Sequence, residues 1–330
     1  MATAPTTVDA AAGLPWGPRA LVRRLRSGDE IARLVTLVFA LSVVLLTGML
    51  VYLLWTNSAE ARHRFGLSFL WKTTWDPVAG QFGALTFVYG TLVTSALGLL
   101  IAVPLGLGAA IFLAELAPRR LSDNLTFLID LLAAVPSVIY GLLGVFILVP
   151  IMRTEIQPAL KSILGFTPLF RGPAYGIGFL TAGLVLAVMI VPFIISVSRE
   201  VLLAVPNDQR EAALALGATR WEATWKAVVP YARTGIMGSV FLALARALGE
   251  TMAVTMVVGN NPTISASLFS PGYSIAAVLA NEFSEATGNL YLSSLIELGL
   301  VLFLLTFILN GLARLLIVVT TGRGSGVVQG

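Results

Sequence analysis

The sequence of 330 residues has no cysteine, one histidine and few charged side chains. Without cysteine, disulfides and thiolate metal sites are excluded, although the redox compartment is left open. The histidine, His63, lies between Arg62 and Arg64, which favours a solvated side chain over a functional one. Charged residues make up 12% of the chain and hydrophobic residues 57%. Because soluble domains have about a quarter of their residues charged, this composition predicts an integral membrane protein.

Apolar blocks long enough to cross a bilayer recur along the chain, each close to or above the roughly 20 residues that a spanning helix needs. They lie at residues 34–55, 83–114, 125–150, 174–198, 234–258 and 293–319. The block 34–55 has no charge and no nearby cleavage site, which predicts an anchoring helix rather than a signal peptide. We therefore expect an all-α integral membrane protein with six transmembrane helices.

The distribution of Lys and Arg predicts the orientation, because these residues stay on the cytoplasmic side. Twelve of them fall in the segments 1–33, 115–124 and 199–233, against six in the alternate segments 56–82, 151–173 and 259–292. We expect a multi-pass protein of the plasma (inner) membrane with both termini in the cytoplasm. Residues 1–33 and 320–330 would be cytoplasmic tails, 34–55 the first transmembrane helix, and 56–82 an extracytoplasmic loop.

The loop 206–230, between the fourth and fifth blocks, has an unusual pattern for a membrane loop. It predicts one short helix from Pro206 to Gly217 and a second helix started by a capping box of Thr219 and Glu222. Pro230 is expected to end the second helix. Trp221, Trp225, Val228 and Val229 would form one apolar stripe on it. Such a helix pair docks into a groove of a partner or lies in the lipid interface, and the pattern alone does not separate the two.

The same loop resembles the EAA loop of binding-protein-dependent ABC importer permeases, whose core is MetI-like. The matching residues are Glu211-Ala-Ala213, Gly217 and Ala227-Val-Val-Pro230 at the family's spacing, with Ala227 and Val229 replacing the usual Ile and Leu. Within this family the chain resembles the phosphate-specific subunits of the PstC type. The segments that carry this second resemblance are 133–141, 246–254, 280–286 and 297–299.

The resemblance implies a permease core at 83–319, with five transmembrane helices and a coupling-helix loop at 206–230. It implies two ATPase subunits, a second homologous permease of the PstA type and an extracytoplasmic phosphate-binding protein as partners. Membrane lipid surrounds the chain, and no nucleic acid is expected. The ATPase-docking residues would be Glu211, Ala212, Ala213, Gly217, Trp221, Trp225 and Pro230.

Nucleotide binding within this chain is not predicted. A phosphate-binding loop needs Gly-Lys-Ser/Thr, and Lys72, Lys161 and Lys226 follow Trp, Leu and Trp. We therefore expect a transport subunit that is not an enzyme and holds no cofactor. Mg-ATP would be bound by the partner ATPase, and phosphate would be the transported ligand.

Two charged residues, Arg246 and Glu250, fall near the middle of the fifth block. A charge at that depth costs several kcal/mol unless it is paired or faces water. At a spacing of four residues the two can form a buried ion pair within one helix. Alternatively, the guanidinium binds phosphate oxygens and the carboxylate moderates the attraction. The resemblance to phosphate permeases favours the second interpretation.

Other polar residues of the blocks either line the path or bond between helices. We assign Ser137, Tyr140 and Thr251 to the path, together with Arg246 and Glu250. Three further functions remain open: a permease of the same fold for another oxyanion, an ion-gradient-driven transporter, or a membrane enzyme. An ion-gradient-driven transporter needs no EAA loop, and such transporters are often built from inverted repeats, which the six blocks do not obviously show. The third needs clustered acidic or His residues.

Overall fold

The computed structural model describes residues 29–321. Residues 1–28 and 322–330, which belong to the two predicted tails, lie outside this range. Within the described range the regular elements are helices, and one isolated bridge joins Asp76 to Gln81. The chain divides into two units, Met1–Thr56 and Asn57–Gly330.

Six helices are long and apolar enough to span a membrane, as the sequence predicted. We call them the first to sixth spans: Ala32–Asn57, Leu85–Leu116, Ser137–Leu164, Phe179–Leu203, Arg220–Gly249 and Asn289–Val319. The first belongs to a helix that begins at Asp29, and the last to a helix that ends at Thr321. The shorter α-helices outside the spans are Ala59–Phe65, Ser68–Trp71, Arg119–Ala133, Asn207–Ala215, Met252–Val257 and Ile275–Glu282.

The first unit, where described, is a single helix that is apolar on all sides. Its large side chains are exposed, for example Phe39 at 68% and Val44 at 69%. A helix that is hydrophobic all round fits a lipid environment rather than water.

Wide turns precede four prolines of the second unit. In each of them a backbone N–H donates to the carbonyl five residues back, and one residue separates the turn from the proline. The turns are Phe112–Leu116, Gly144–Leu148, Met152–Ile156 and Thr224–Val228, before Pro118, Pro150, Pro158 and Pro230. Proline has no N–H, and its ring clashes with the carbonyl four residues before it. One extra residue in the turn relieves the clash, so three of these helices continue past their proline.

The third span differs from the prediction of 125–150, which was wrong at both ends. Residues Arg119–Ala133 form a separate helix, which we call the polar helix, and the span runs from Ser137 to Leu164. Pro136 is extended, with φ −57° and ψ 139°. Since a proline also disfavours helical backbone at the residue before it, the chain breaks there.

The fourth span forms the centre of the second unit and packs closely on the second span. Two glycines of the second span allow this approach. A Cβ on Gly106 would lie 2.7 Å from Ile194, and one on Gly98 would lie 3.0 Å from Leu186. Such distances are below van der Waals contact, so the side chains of Ile194 and Leu186 pack directly on the backbone of the second span only because these positions have no side chain.

The end of the molecule opposite the 206–230 loop is held by an aromatic cluster. The indole Nε1 of Trp75 donates to Glu282 Oε2 at 2.8 Å, and the Tyr291 hydroxyl donates to the same oxygen at 2.7 Å. Glu282 is the last residue of the helix Ile275–Glu282, whose N-terminus is capped by Ser274. Burial raises the pKa of the nearby Tyr273 to about 12. The carboxylate thus ties three segments of this end together.

Candidate functional site

The 206–230 loop has the predicted helix, break and second helix. The first helix, Asn207–Ala215, is called the docking helix below. The break is at Gly217, whose φ of +86° is a left-handed conformation that favours glycine. Thr219 and Glu222 then form the predicted capping box, with each side chain accepting a backbone N–H of the other residue. The local sequence signals are confirmed at all three points.

The docking-loop residues named from the sequence are largely accessible. Glu211, Ala212 and Gly217 are exposed and Ala213 is half-buried. Trp221 and Trp225 are 54% and 46% exposed, and their rings meet edge to face with centroids 5.5 Å apart. Exposed tryptophans are typical both of protein contacts and of the membrane interface, so this surface of acidic, small and aromatic side chains fits either interpretation of the loop.

Two predictions for the second helix of the loop are wrong. Pro230 is exposed, but it does not end the helix, which continues from Arg220 to Gly249 as the fifth span. The predicted apolar stripe is also divided, because Val228 is fully buried in the core while the two tryptophans face outward. The wide turn Thr224–Val228 causes both differences: it accommodates the proline and changes the helical period on which the stripe was based.

An ion pair that the sequence analysis missed fixes the docking helix to the second span. Arg210 Nη2 lies 2.7 Å from Glu115 Oε1, and its Nε donates to both oxygens at 3.2 and 3.0 Å. Arg210 also donates to the carbonyls of Leu202 and Val205 at the end of the fourth span. The side chains are only 19% and 8% exposed. The signal available in the sequence was Glu115, an acidic residue at the end of an apolar block.

The predicted helical pair of Arg246 and Glu250 does not form. The helix ends at Gly249, and Glu250 is extended with ψ 126°. Its Oε1 instead accepts the N–H of Ala253 at 3.3 Å, at the start of the short helix Met252–Val257. Thr251, also half-buried, lies in this break and accepts the N–H of Thr255 with its carbonyl. A spacing of four residues gives a helical pair only where the helix continues, and here it breaks between the two charges.

Arg246 is exposed, and the described residues place no carboxylate within ion-pair distance of it. Its guanidinium carbon lies 5.9 Å from the ring centre of Phe193, on the fourth span. Because a charge in a span must be paired or face water, an exposed and unpaired guanidinium indicates a surface covered by water or by another protein.

Tyr140 and Ser137 lie at the start of the third span. The Tyr140 hydroxyl donates to the carbonyl of Leu132 at 2.7 Å, across the break between the polar helix and the span. Its ring is buried in the core cluster that contains Ala243 and Ala247 of the fifth span. Ser137 is half-buried. The structure therefore places Tyr140 in the core cluster that also contains Ala247, the residue after Arg246, and its hydroxyl joins the polar helix to the third span. Thr251 follows Glu250 in the break after the fifth span.

Metal binding has no support in the described part of the chain. Residues 29–321 contain no group of three or more His, Cys, Asp or Glu side chains that could hold an ion. What the site offers chemically is an unpaired guanidinium, hydroxyl groups and backbone dipoles, which bind anions through charge and hydrogen bonds.

Solved structures of the same fold include two ABC transporters. One chain of the inward-facing MetNI methionine transporter matches with a TM-score of 0.51 and 17% identity, covering 70% of this chain and 94% of that one. One chain of a bacterial alginate transporter, in complex with its alginate-bound periplasmic protein, matches with a TM-score of 0.53 and 14% identity. It covers 93% of this chain and 99% of that one. At these identities the matches establish the fold alone.

Sequence relatives are much more similar. The phosphate transport system permease protein PstC of Mesorhizobium japonicum is 50% identical over 299 residues, covering 89% of this chain and 91% of that protein. The PstC protein of Pasteurella multocida is 50% identical over 289 residues, with 86% and 90% covered. The model of the binding-protein-dependent transport system inner membrane component matches residues 102–317. The chain therefore belongs to the family of binding-protein-dependent transport system inner membrane components, within the group that contains the PstC permeases.

Proposed function

We propose that this chain is a membrane-spanning subunit of an ATP-driven importer and forms part of the path for inorganic phosphate. The observation that carries the proposal is Arg246, an exposed guanidinium in the fifth span without a carboxylate partner among the described residues. A guanidinium presents a fork of donors that matches phosphate oxygens. The relatives of about half-identical sequence are named phosphate transport permeases, which supports this ligand over other oxyanions.

The partners follow from the family and from the docking loop. An extracytoplasmic phosphate-binding protein would deliver the ligand, and a second permease of the PstA type would complete the path. Two ATPase subunits would dock on the loop from Glu211 to Pro230, so that this side and both termini are cytoplasmic. Mg-ATP would be bound and hydrolysed by those subunits alone. The chain itself would alternate between outward and inward access without covalent chemistry.

The path hypothesis is tested by Arg246→Gln in the complete importer, reconstituted in proteoliposomes with its ATPase, second permease and binding protein. A charged hydrogen bond contributes about 1.5–3 kcal/mol, and each 1.4 kcal/mol is about tenfold. We therefore expect ATP-dependent phosphate uptake to fall roughly 10- to 100-fold at unchanged abundance. The matched control is Arg64→Gln, because Arg64 also lies over an aromatic ring, Phe65, at 5.8 Å. Normal uptake by Arg246→Gln would exclude Arg246 from the path.

The docking hypothesis is tested separately, by co-purification of the ATPase from membranes. Glu211→Lys reverses an exposed charge of the docking helix, and Gly217→Pro forbids the positive φ of the break. Both are expected to reduce recovery of the ATPase and to uncouple hydrolysis from uptake. Glu155→Lys, an exposed reversal on the third span, is the control and is expected to leave ATPase recovery unchanged. If both docking variants bind ATPase and transport normally, the loop has another role.

A further inference from the structure

A row of hydrogen-bonded polar groups begins at the break after the fifth span. The Thr251 hydroxyl donates to the carbonyl of Gly249 at 3.2 Å, and the Thr255 hydroxyl donates to the carbonyl of Thr251 at 2.7 Å. The amide Nδ2 of Asn260 then donates to the carbonyl of Thr255 at 3.1 Å. We call Thr251, Thr255 and Asn260 the polar row. Since each member bonds to the one before it, the row is continuous.

The polar row lies on the accessible side of the short helix Met252–Val257. The opposite side of this helix belongs to the core cluster through Ala253, Val254 and Val257. Thr251 and Thr255 are one helical turn apart, with the Thr255 N–H donating to the carbonyl of Thr251, so both lie on the side that remains. Both are half-buried, Met252 beside them is 50% exposed, and Asn260 is exposed. A ligand outside the core can therefore reach this row.

The position of the row along the molecule follows from contacts with the fourth span. Gly178, the residue before this span, donates its N–H to the carbonyl of Val257 at 3.0 Å. Phe193, the ring beneath the Arg246 guanidinium, lies 14 residues after the first residue of the span, which is about 21 Å along the helix. The span ends at Leu203, just before the docking loop. The row therefore extends from the end of the fifth span toward the end of the molecule opposite that loop.

The surface that carries Arg246 continues into the row. Arg246 and Gly249 are three residues apart at the end of the fifth span, so they are neighbours on the helix surface, and both are exposed. Exposed residues of the third span are instead apolar, such as Phe146 at 73% and Ile147 at 54%. A charged or polar group in hydrocarbon costs free energy unless it is paired or meets water. The side with Arg246, Gly249 and Asn260 thus fits an aqueous path better than lipid.

The hydrogen-bonding groups of this surface suit a particular kind of anion. Thr251 and Thr255 donate their hydroxyl protons to backbone carbonyls, so their oxygens can only accept a further hydrogen bond. The carboxylate of Glu250, next to Thr251, is also an acceptor. The donors are the Arg246 guanidinium and the second N–H of the Asn260 amide. Such a mixed set matches hydrogen phosphate, which carries an O–H, whereas sulfate at neutral pH has no proton to donate.

We infer that the polar row lines the entry part of the phosphate path and that Thr255 and Asn260 contact the transported ion. The inference rests on the proposed function, and it extends the path from Arg246 toward the end of the molecule opposite the docking loop. It also predicts selectivity, because the acceptors of the row favour an oxyanion that carries a proton. Hydrogen bonds to the neutral members of the row are weaker than those to a charged group, so the ion can move on to Arg246.

The inference is tested by thiol labelling, because the chain has no cysteine. Thr255→Cys is close in size and is made in the complete importer, in nanodiscs of zwitterionic lipid. A small, negatively charged methanethiosulfonate reagent is expected to modify the new thiol, which is followed by the mass of this subunit. Inorganic phosphate at ten times its half-protecting concentration should slow the reaction about tenfold by mass action. Sulfate at the same concentration should slow it much less. Both anions are also tested without the binding protein, whose own selectivity would otherwise enter.

Thr154→Cys is the matched control. Thr154 is exposed on the third span, and its hydroxyl bonds to the carbonyl four residues back at 3.0 Å, as that of Thr255 does. Its thiol should react at a rate that phosphate does not change. A Thr255→Cys thiol that does not react, or that phosphate does not protect, would overturn the inference. Protection that disappears without the binding protein would assign it to docking of that protein, against the inference. Equal protection by phosphate and sulfate would refute the predicted selectivity.

Asn260→Asp tests the far end of the row by uptake. Asn260 has φ +49°, a left-handed conformation that asparagine and aspartate both tolerate, so the variant keeps the backbone. The added carboxylate repels an anion, and ATP-dependent phosphate uptake in proteoliposomes should fall about five- to tenfold. Asn261→Asp adds the same charge at the next residue, also exposed, and should stay near wild type. Equal uptake by the two variants would exclude Asn260 from the path. If Asn260→Asp does not assemble, Asn260→Gly, which also allows this φ, should reduce uptake, and wild-type uptake would exclude Asn260 in the same way.

Uptake by the unsubstituted importer separates this inference from the proposed function. An importer that takes up no phosphate contradicts the proposed function itself. If it takes up phosphate while the Thr255→Cys thiol stays unprotected, only the entry part of the path is contradicted.

Discussion

Arg210 lies in the first turn of the docking helix and Arg246 in the last turn of the fifth span, and the two guanidinium groups differ in exposure and in hydrogen-bond partners. The side chain of Arg210 is 19% exposed and donates to both carboxylate oxygens of Glu115 and to two backbone carbonyls. Arg246 is exposed and lies over the ring of Phe193, and no described residue forms an ion pair with it. The comparison shows that a guanidinium whose donors are hydrogen-bonded within the protein joins two helices, whereas one with free donors is available to a ligand or to a partner protein.

We expect the largest effect on stability from removing Glu115, the carboxylate partner of Arg210. Glu115→Ala leaves the Arg210 charge buried without its partner, and breaking such a pair costs about 3–5 kcal/mol. We expect lower abundance of the complex and a lower midpoint of thermal unfolding in detergent. Lys226→Ala breaks the exposed pair of Lys226 with Glu222 and serves as the control, with little expected change because solvent screens such pairs. Equal effects of the two variants would remove the distinction between the arginines.

Arg246→Lys tests whether phosphate uptake needs the guanidinium of Arg246 or only its positive charge. The ammonium keeps the charge but loses the fork of donors, so we expect uptake about tenfold below wild type, equivalent to the loss of about 1.4 kcal/mol. The thermal midpoint should be unchanged, because the described residues give Arg246 no ion pair to lose. A lowered midpoint together with lowered uptake would instead indicate a structural role.

Gly217→Ala tests whether the stability of the 206–230 loop depends on its backbone conformation as well as on the ion pair of Arg210 with Glu115. A Cβ there would meet nothing within 4 Å, so the expected cost, about 1–2 kcal/mol, comes only from the positive φ. Gly217→Asn should cost less, since asparagine tolerates this conformation better. The free energy of unfolding of the purified complex is the measurement. An equal cost for both variants would point to a contact with a partner.

Glu250→Gln should have the smallest effect on stability. The carboxylate accepts one N–H at the start of a short helix, where a negative charge contributes about 0.3–1 kcal/mol. We expect assembly to be normal, and the path hypothesis, which assigns to Glu250 the charge that moderates the attraction of Arg246, predicts that phosphate release slows. Single-turnover uptake separates release from binding. Loss of assembly would show that Glu250 holds the break in place.

The sequence alone determined the class, the number of spans and the local structure of the docking loop. These are local properties: the length of an apolar block, the left-handed conformation that Gly217 provides, and the capping box of Thr219 with Glu222 depend on neighbouring residues only. The resemblance, read from residues 211–230, also gave the family, which the comparisons confirm. Its assignment of docking and path residues is still a prediction.

Only the tertiary structure decided which charges meet. Arg210 and Glu115 are 95 residues apart, and Ser196 and Asp130 are 66 apart, so no local period relates them. It also decided where helices continue: the wide turn before Pro230 carries the fifth span past a proline, while the chain breaks after Gly249 and separates Arg246 from Glu250. The physical reason is the same in each case, because packing against other segments selects among backbone and side-chain arrangements that the local sequence allows equally.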